Sequence, residues 1–324
     1  MNALLFDHRL SLATDYPRPT ARAGESLIRI LQSGICNTDL ELMRGYMAFS
    51  GVLGHEFVGI VEVSDEAALI GARVVGEINA WCGECPTCAA GNRSHCPHRT
   101  TLGIDRRDGC HADYTRLPNH NLLPVPEGVS NDEAVFVEPL AAACEILEQI
   151  QIAPTDRVVV IGDGKLGLLV AQVLALTGCD LQVIGRHAEK LAILSARGIR
   201  TEVVARGAES QLPDGSVDIV VECTGNAQGF ATARRLVRPR GTIVLKSTYH
   251  GDLAINMSMI VVDEIRLLGS RCGPFAPALR LLAQKRVDVT PLIAARYPLT
   301  DGVAAMEHAA QRGTLKVLLD GVAL

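Results

Sequence analysis

Hydrophobic and polar residues follow two different rhythms along this chain. Up to about residue 135, apolar runs are short: Ser26–Leu31, Val58–Val63, Arg73–Ile78 and Tyr114–Leu117. They are set off by turn formers, as in Tyr16-Pro17-Arg18-Pro19 and Pro124-Val125-Pro126-Glu127-Gly128. Short Val- and Ile-rich runs between Pro and Gly predict strands, and their spacing predicts a barrel-like β domain with a few helical inserts. After Val137 the rhythm changes. Leu140–Leu147 predicts a helix that begins near Pro139. Strands at Arg157–Ile161, Leu181–Ile184, Asp218–Val221, Thr242–Leu245 and Ile265–Leu268 then alternate with helices at Lys165–Leu176, Ala188–Arg197 and Ala227–Val237. Continuous β-branched strands separated by helices predict a parallel sheet covered on both faces. Helices at Pro274–Arg286 and Val303–Gln311 and a strand at Lys316–Leu319 break the alternation. We expect this tail to return to the first domain.

The expected organisation is therefore an α/β chain of two domains, one built from 1–140 with 273–324 and one from 141–272. A length of 324 residues suits that number. With 48% hydrophobic and 21% charged residues, the composition is that of a packed globular protein rather than a disordered one. The net charge, 31 − 36 = −5, argues against nucleic acid as a partner. No apolar run reaches the roughly 18–20 residues that span a bilayer. Asp7, His8 and Arg9 interrupt the first apolar stretch, unlike a secretory signal. The expectation is a cytoplasmic protein without a membrane partner.

Ten cysteines are unevenly spread. Cys82-x2-Cys85-x2-Cys88-x7-Cys96 places four within fifteen residues. Zinc takes four ligands in a tetrahedron, and four thiolates leave no position for a substrate, so this spacing predicts a structural zinc lobe over 80–98. A redox pair needs two cysteines, not four. The residues between them (Gly83, Glu84, Pro86, Thr87, Gly91, Asn92) are not those of a core. A second set is weaker residue by residue. Cys36, His55, Glu56 and Glu138 are donors of the types that a catalytic zinc uses, but each alone more often reads as a packed thiol, a satisfied imidazole or a surface carboxylate.

Val158–Ile161 leads into Gly162-Asp163-Gly164-Lys165-Leu166-Gly167, a G-x-G-x-x-G in the strand–turn–helix setting that a dinucleotide requires. The first glycine makes the turn, the second admits the pyrophosphate, and the third lets helix meet strand. The end of the second strand selects the nucleotide, since a carboxylate there holds the 2′-hydroxyl of NAD. Here Ile184 is followed by Gly185, Arg186 and His187, with Lys190 shortly after. No carboxylate follows that strand, and a cation does, so NADP(H) is expected over NAD(H).

Together GICNTD (34–39), GHEFVG (54–59), the cysteine lobe, VEPLA (137–141), GDGKLG (162–167), VECTG (221–225) and LKVLL (315–319) stand in one order along nearly the whole chain. In this the chain resembles the zinc-dependent medium-chain dehydrogenase/reductase family, particularly its polyol, glucose and threonine dehydrogenase branch. The resemblance implies a GroES-like β-barrel catalytic domain, a Rossmann domain, two zinc ions per chain and a homodimer or homotetramer. It implies that Cys36, His55 and Glu138 hold the catalytic zinc, with Glu56 a ligand or a mobile second carboxylate. Thr38 would start the proton relay, Asp39 would orient His55, and Lys316 would approach a cofactor phosphate or Glu56. Gly162, Gly164, Lys165, Leu166, Gly167, Gly185, Arg186, Lys190 and Thr224 would meet the dinucleotide. His111 falls where relatives often have Phe, and if it lines the pocket it implies a polar substrate. The implied reaction interconverts a secondary alcohol or polyol and its carbonyl by hydride transfer. The rivals are a zinc-free quinone or enoyl reductase on the same scaffold, and a non-catalytic nucleotide-binding module.

Overall fold

The computed structural model describes residues 1–248 and 252–321. They form two compact units, Met1–Glu138 with Phe275–Leu324, and Pro139–Pro274. No helix among the described residues is long and apolar enough to cross a membrane.

The first unit is organised by the ten-residue strand Glu25–Gly34. It pairs antiparallel with Glu56–Val63, Tyr114–Pro118 and Lys316–Asp320. The sheet runs in the order Leu122–Pro124, Arg73–Gly76, Glu56–Val63, Glu25–Gly34, Lys316–Asp320, Ile293–Pro298. The apolar pattern ends this strand at Leu31, yet it continues to Gly34 because its polar residues find partners. Gln32 donates to Asp132 (3.1 Å) and Asp320 (2.7 Å), and the Ser33 hydroxyl meets the His111 ring at 2.9 Å. A satisfied polar group can be buried at little cost. The strand Ile293–Pro298 was not expected, because its sequence IAARYP turns only partly buried residues inward, Ile293, Ala295 and Tyr297. Leu4, Ile35, Leu40, Leu42, Leu53, Met306, Val317 and Leu319 pack into one core behind the strand ends. That core fixes the loops after Gly34 and Val52, on which the chemistry depends.

The second unit is a six-stranded parallel sheet in the order Arg200–Val203, Asp180–Gly185, Arg157–Ile161, Val217–Glu222, Val237–Leu245, Arg266–Gly269. Numbered along the unit this is 3-2-1-4-5-6, the doubly wound order, whose ligands bind at the carboxyl ends where the order reverses. Five of the six strands are those expected. The sixth, Arg200–Val203, has no continuous apolar run; it is a polar edge, held in part by Gln182 donating to Glu202 at 2.9 Å. Met257–Val262 is a short helix in which Ile260 is buried, while Met257, Met259, Val261 and Val262 are exposed.

Candidate metal and nucleotide sites

Cys36 stands at the N-terminus of the helix Asn37–Met43, and Asp39 on its first turn accepts a hydrogen bond from the Cys36 N–H at 2.8 Å. The same carboxylate accepts from the Gly54 N–H at 3.2 Å. One buried side chain thus ties the loop bearing Cys36 to the loop bearing His55. Asp39 Oδ1 lies 3.3 Å from His55 Nδ1, an ion-pair distance without good hydrogen-bond direction. Burial would raise the Asp39 carboxyl, but His55 and His111 hold it far below the usual carboxylate range. Burial would lower the His55 imidazole, and the charges of Asp39 and Cys36 raise it well above its usual value instead. Glycine is required beside this loop, since a Cβ on Gly54, whose φ is +98°, would come within 2.5 Å of the His111 ring.

Glu56 is 1% exposed. Its Oε2 pairs with the Lys316 ammonium, while its buried Oε1 has no hydrogen-bond partner among the described residues. Lys316 also donates to the Ile35 carbonyl at 3.4 Å. Burial opposes its charge, but Glu56, Cys36 and Glu138 raise its pKa and keep it an ammonium. Of the two partners the resemblance implies for Lys316, the side chain therefore reaches Glu56. The donor atoms of Cys36, His55 and Glu56 all lie within 4.8 Å of one another. A thiolate, an imidazole and an orphaned carboxylate oxygen so gathered suit one zinc ion, whose tetrahedral ligands stand about 3.3–3.8 Å apart. Glu138 lies outside that group, on the first turn of the helix Val137–Gln149. Thr38 Oγ1 is 3.7 Å from the Cys36 sulfur.

His111 does not line an open pocket. It is 0% exposed, bonded through Nδ1 to Ser33, and its Nε2 is 3.5 Å from Asp39 Oδ2. The polar-substrate expectation attached to it is therefore withdrawn: a side chain sealed in the core cannot touch substrate. Asp39 carries two imidazoles, and the second was not foreseen because His111 lies 72 positions further along the chain and no pattern joins the two.

The four-cysteine lobe is closed on itself. Cys82–Cys88, Cys85–Cys96 and Cys82–Cys96 sulfurs lie 4.0, 3.8 and 3.5 Å apart. Tetrahedral zinc with bonds of about 2.3 Å needs sulfurs about 3.8 Å apart, whereas a disulfide needs about 2 Å. Against the burial that would raise it, N–H groups of the backbone draw the Cys96 thiol down to about 6, while burial pushes the neighbouring Cys88 thiol up to about 12. Trp81 packs against these cysteines.

In the second unit Gly162 has φ +120°, and a Cβ on Gly167 would lie 2.1 Å from the Gly162 carbonyl oxygen. These are the turn and the close helix–strand approach that the motif requires. A Cβ on Gly164 would meet nothing within 4 Å. Lys165 and Leu166 begin the helix Lys165–Ala175. Thr224, beyond the next strand of the sheet, donates its N–H (2.6 Å) and its hydroxyl to buried Glu222. Arg186 is exposed, and Lys190 is buried. A carboxylate does stand at the end of Asp180–Gly185, contrary to the expectation from the local sequence. It is Asp163, which reaches across from the glycine-rich turn. Its Oδ2 accepts the N–H groups of Arg186 and His187, both at 2.7 Å.

Comparison with known proteins finds zinc-binding dehydrogenases along the chain. A model for the alcohol dehydrogenase GroES-like domain matches residues 22–127, and one for zinc-binding dehydrogenases matches 166–284. The chain is 31% identical to a sorbitol dehydrogenase of Halalkalibacterium halodurans, over 94% of this chain and 93% of that one. It is 29% identical to an erythritol/L-threitol dehydrogenase of Mycolicibacterium smegmatis, over 87% and 86%. The crystal structure of galactitol-1-phosphate dehydrogenase from Escherichia coli superimposes with a TM-score of 0.86 at 25% identity, covering 99% and 100%. With a barrel-type unit holding two zinc-ready clusters, a doubly wound unit and these relatives, the chain belongs to the zinc-dependent medium-chain dehydrogenase/reductase family.

Proposed function

We propose that this enzyme interconverts a polyol, or another secondary alcohol, and its carbonyl with an NAD(P) cofactor. The observation that carries the reading is that Cys36 and the adjacent pair His55 and Glu56, from two separate segments, bring their donor atoms within 4.8 Å of one another. A zinc ion there would supply a Lewis acid, and the dinucleotide a hydride acceptor. The chain's own residues do the rest. Cys36 and His55 bind the metal, oriented by Asp39. Glu56 and Glu138 are the two carboxylates available to it. Lys316, paired with Glu56, offsets the negative charge that a thiolate and two carboxylates bring to one buried place. The Thr38 hydroxyl, beside the Cys36 sulfur, holds the substrate's proton at Oγ1 and passes it on.

The polyol assignment rests on the names of the sorbitol, erythritol/threitol and galactitol-phosphate relatives. Cys82, Cys85, Cys88 and Cys96 hold the structural zinc. Gly162, Gly164, Lys165, Leu166, Gly167, Gly185 and Thr224 meet the dinucleotide. At its 2′ end, Arg186 and Lys190 speak for NADP(H) and Asp163 speaks against it. The exposed apolar side of Met257–Val262 is the surface proposed for a homodimer or homotetramer. Ten cysteines, none of them in a disulfide among the described residues, fit the reducing cytoplasm. The test is elemental analysis followed by a panel of polyols and ketoses read by nicotinamide absorbance. About two zinc ions per chain and turnover of polyols is the expected result. One zinc per chain, or turnover without metal at Cys36, would refute the reading.

A further inference from the structure

We infer that Asp163 is a specificity-determining residue that turns the dinucleotide site toward NAD(H) and away from NADP(H). The inference deepens the NAD(P)-linked reading above and rests on it. The second strand ends at Gly185, the position from which a Rossmann unit addresses the adenosine ribose. Two backbone N–H groups emerge there, those of Arg186 and His187. Such paired N–H groups form a natural cradle for a phosphate oxygen. In this chain both are bound by Asp163 Oδ2, and the His187 ring adds contacts at 3.0 Å to Oδ2 and 3.1 Å to Oδ1.

The placement is built rather than accidental. Asp163 is 8% exposed, and a Cβ on Gly185 would lie 2.7 Å from both its Cβ and its Oδ2. Only glycine at 185 lets the carboxylate reach the strand end. Burial opposes its charge, but the N–H groups of His187 and Arg186 and the His187 ring hold its pKa below the ordinary carboxylate value.

Three consequences follow for the 2′ position of the adenosine ribose. The donors that a 2′-phosphate would use are already taken. A fixed negative charge stands where that phosphate, itself nearly a dianion, would come. Oδ1, which among the described residues meets only the His187 ring, keeps acceptor capacity for a 2′-hydroxyl. Arg186 opposes these effects from an exposed position, where solvent and salt screen a guanidinium. A buried carboxylate held by three donors outweighs it. The acidic group that the second strand lacks in sequence is thus supplied by the second residue of G-x-G-x-x-G.

The test measures dissociation constants for NADH and NADPH on the zinc-loaded full chain, by nicotinamide fluorescence at one fixed ionic strength. The wild type should bind NADH at least about tenfold more tightly than NADPH, a difference of about 1.4 kcal/mol. Asp163→Asn should tighten NADPH by about tenfold and weaken NADH by only a few-fold. If that variant does not fold, Asp163→Ser serves, and the wild-type ratio decides by itself. Tighter binding of NADPH by the wild type would overturn the inference. So would weaker NADPH binding by Asp163→Asn, which would mean that Asp163 props His187 toward the phosphate. Failure of both dinucleotides to bind would instead refute the NAD(P) reading on which the inference rests.

Discussion

The two metal-ready clusters of the first unit are built in opposite ways. The lobe cysteines come from one stretch of fifteen residues, their sulfurs 3.5–4.0 Å apart, with little but Trp81 packed on them. Cys36, His55 and Glu56 are brought together by a long strand, a helix start and a glycine loop. They are braced by buried Asp39, His111 and Lys316. With almost no core of its own, the lobe is expected to depend on bound metal for its structure. The loops of the other cluster are set by the core packed behind them. Local spacing can make a closed four-thiolate site; an open site with an orphaned carboxylate oxygen needs a fold to hold it.

This contrast can be broken most directly by removing one thiol from each. Cys36→Ser should lower turnover by about 10³-fold or more, the several kcal/mol that a Lewis acid contributes. It should leave about one zinc per chain and an apparent Tm within a few degrees of wild type. Cys85→Ser should instead lower the apparent Tm by about 10 °C or more, the expected scale for loss of a structural metal. Comparable melting losses in both variants, seen by calorimetry, would erase the distinction.

A chelator sharpens it further. Zinc on three protein ligands with an open position should leave before zinc on four thiolates, so that activity falls while the lobe metal stays bound. Metal content and activity followed together during dialysis will show whether the first zinc lost is the one that matters for turnover.

The smallest expected effect lies in the bracing. Asp39→Asn should weaken zinc at Cys36 and His55 by about 10–100-fold without altering the lobe. It carries a pH signature as well. The folded-state pKa of Asp39 is depressed, so its contribution to stability is present above the ordinary carboxylate value near 4 and is lost as pH falls through the lower folded value. The stability gap between wild type and Asp39→Asn should therefore persist at pH 4–5 and close only in more acid solution. A gap that closes near neutral pH would assign the effect to another group.

Much of this was legible in the residues. Apolar rhythm placed five of the six parallel strands, because continuous Val and Ile runs are a signal that needs no context. The strand Arg200–Val203 escaped because a polar edge has no such run, and Ile293–Pro298 because its inward side chains are small or only half-buried. The lobe was legible from spacing alone, and the resemblance named Asp39 as the brace of His55. His111 could be placed in a pocket only conditionally from its position, and its burial makes it a strut.

The sequence by itself determined the two rhythms, the closed thiolate lobe and the glycine turn, all of which depend on neighbours within about twenty residues. Tertiary structure alone decided which side chains share a buried space. It set Lys316 on Glu56, left one oxygen of Glu56 unpaired, and carried the Asp163 carboxylate to a strand end more than twenty residues away in the chain. The reason is physical: a charge acts through distance and burial, and neither can be read from the order of residues along the chain.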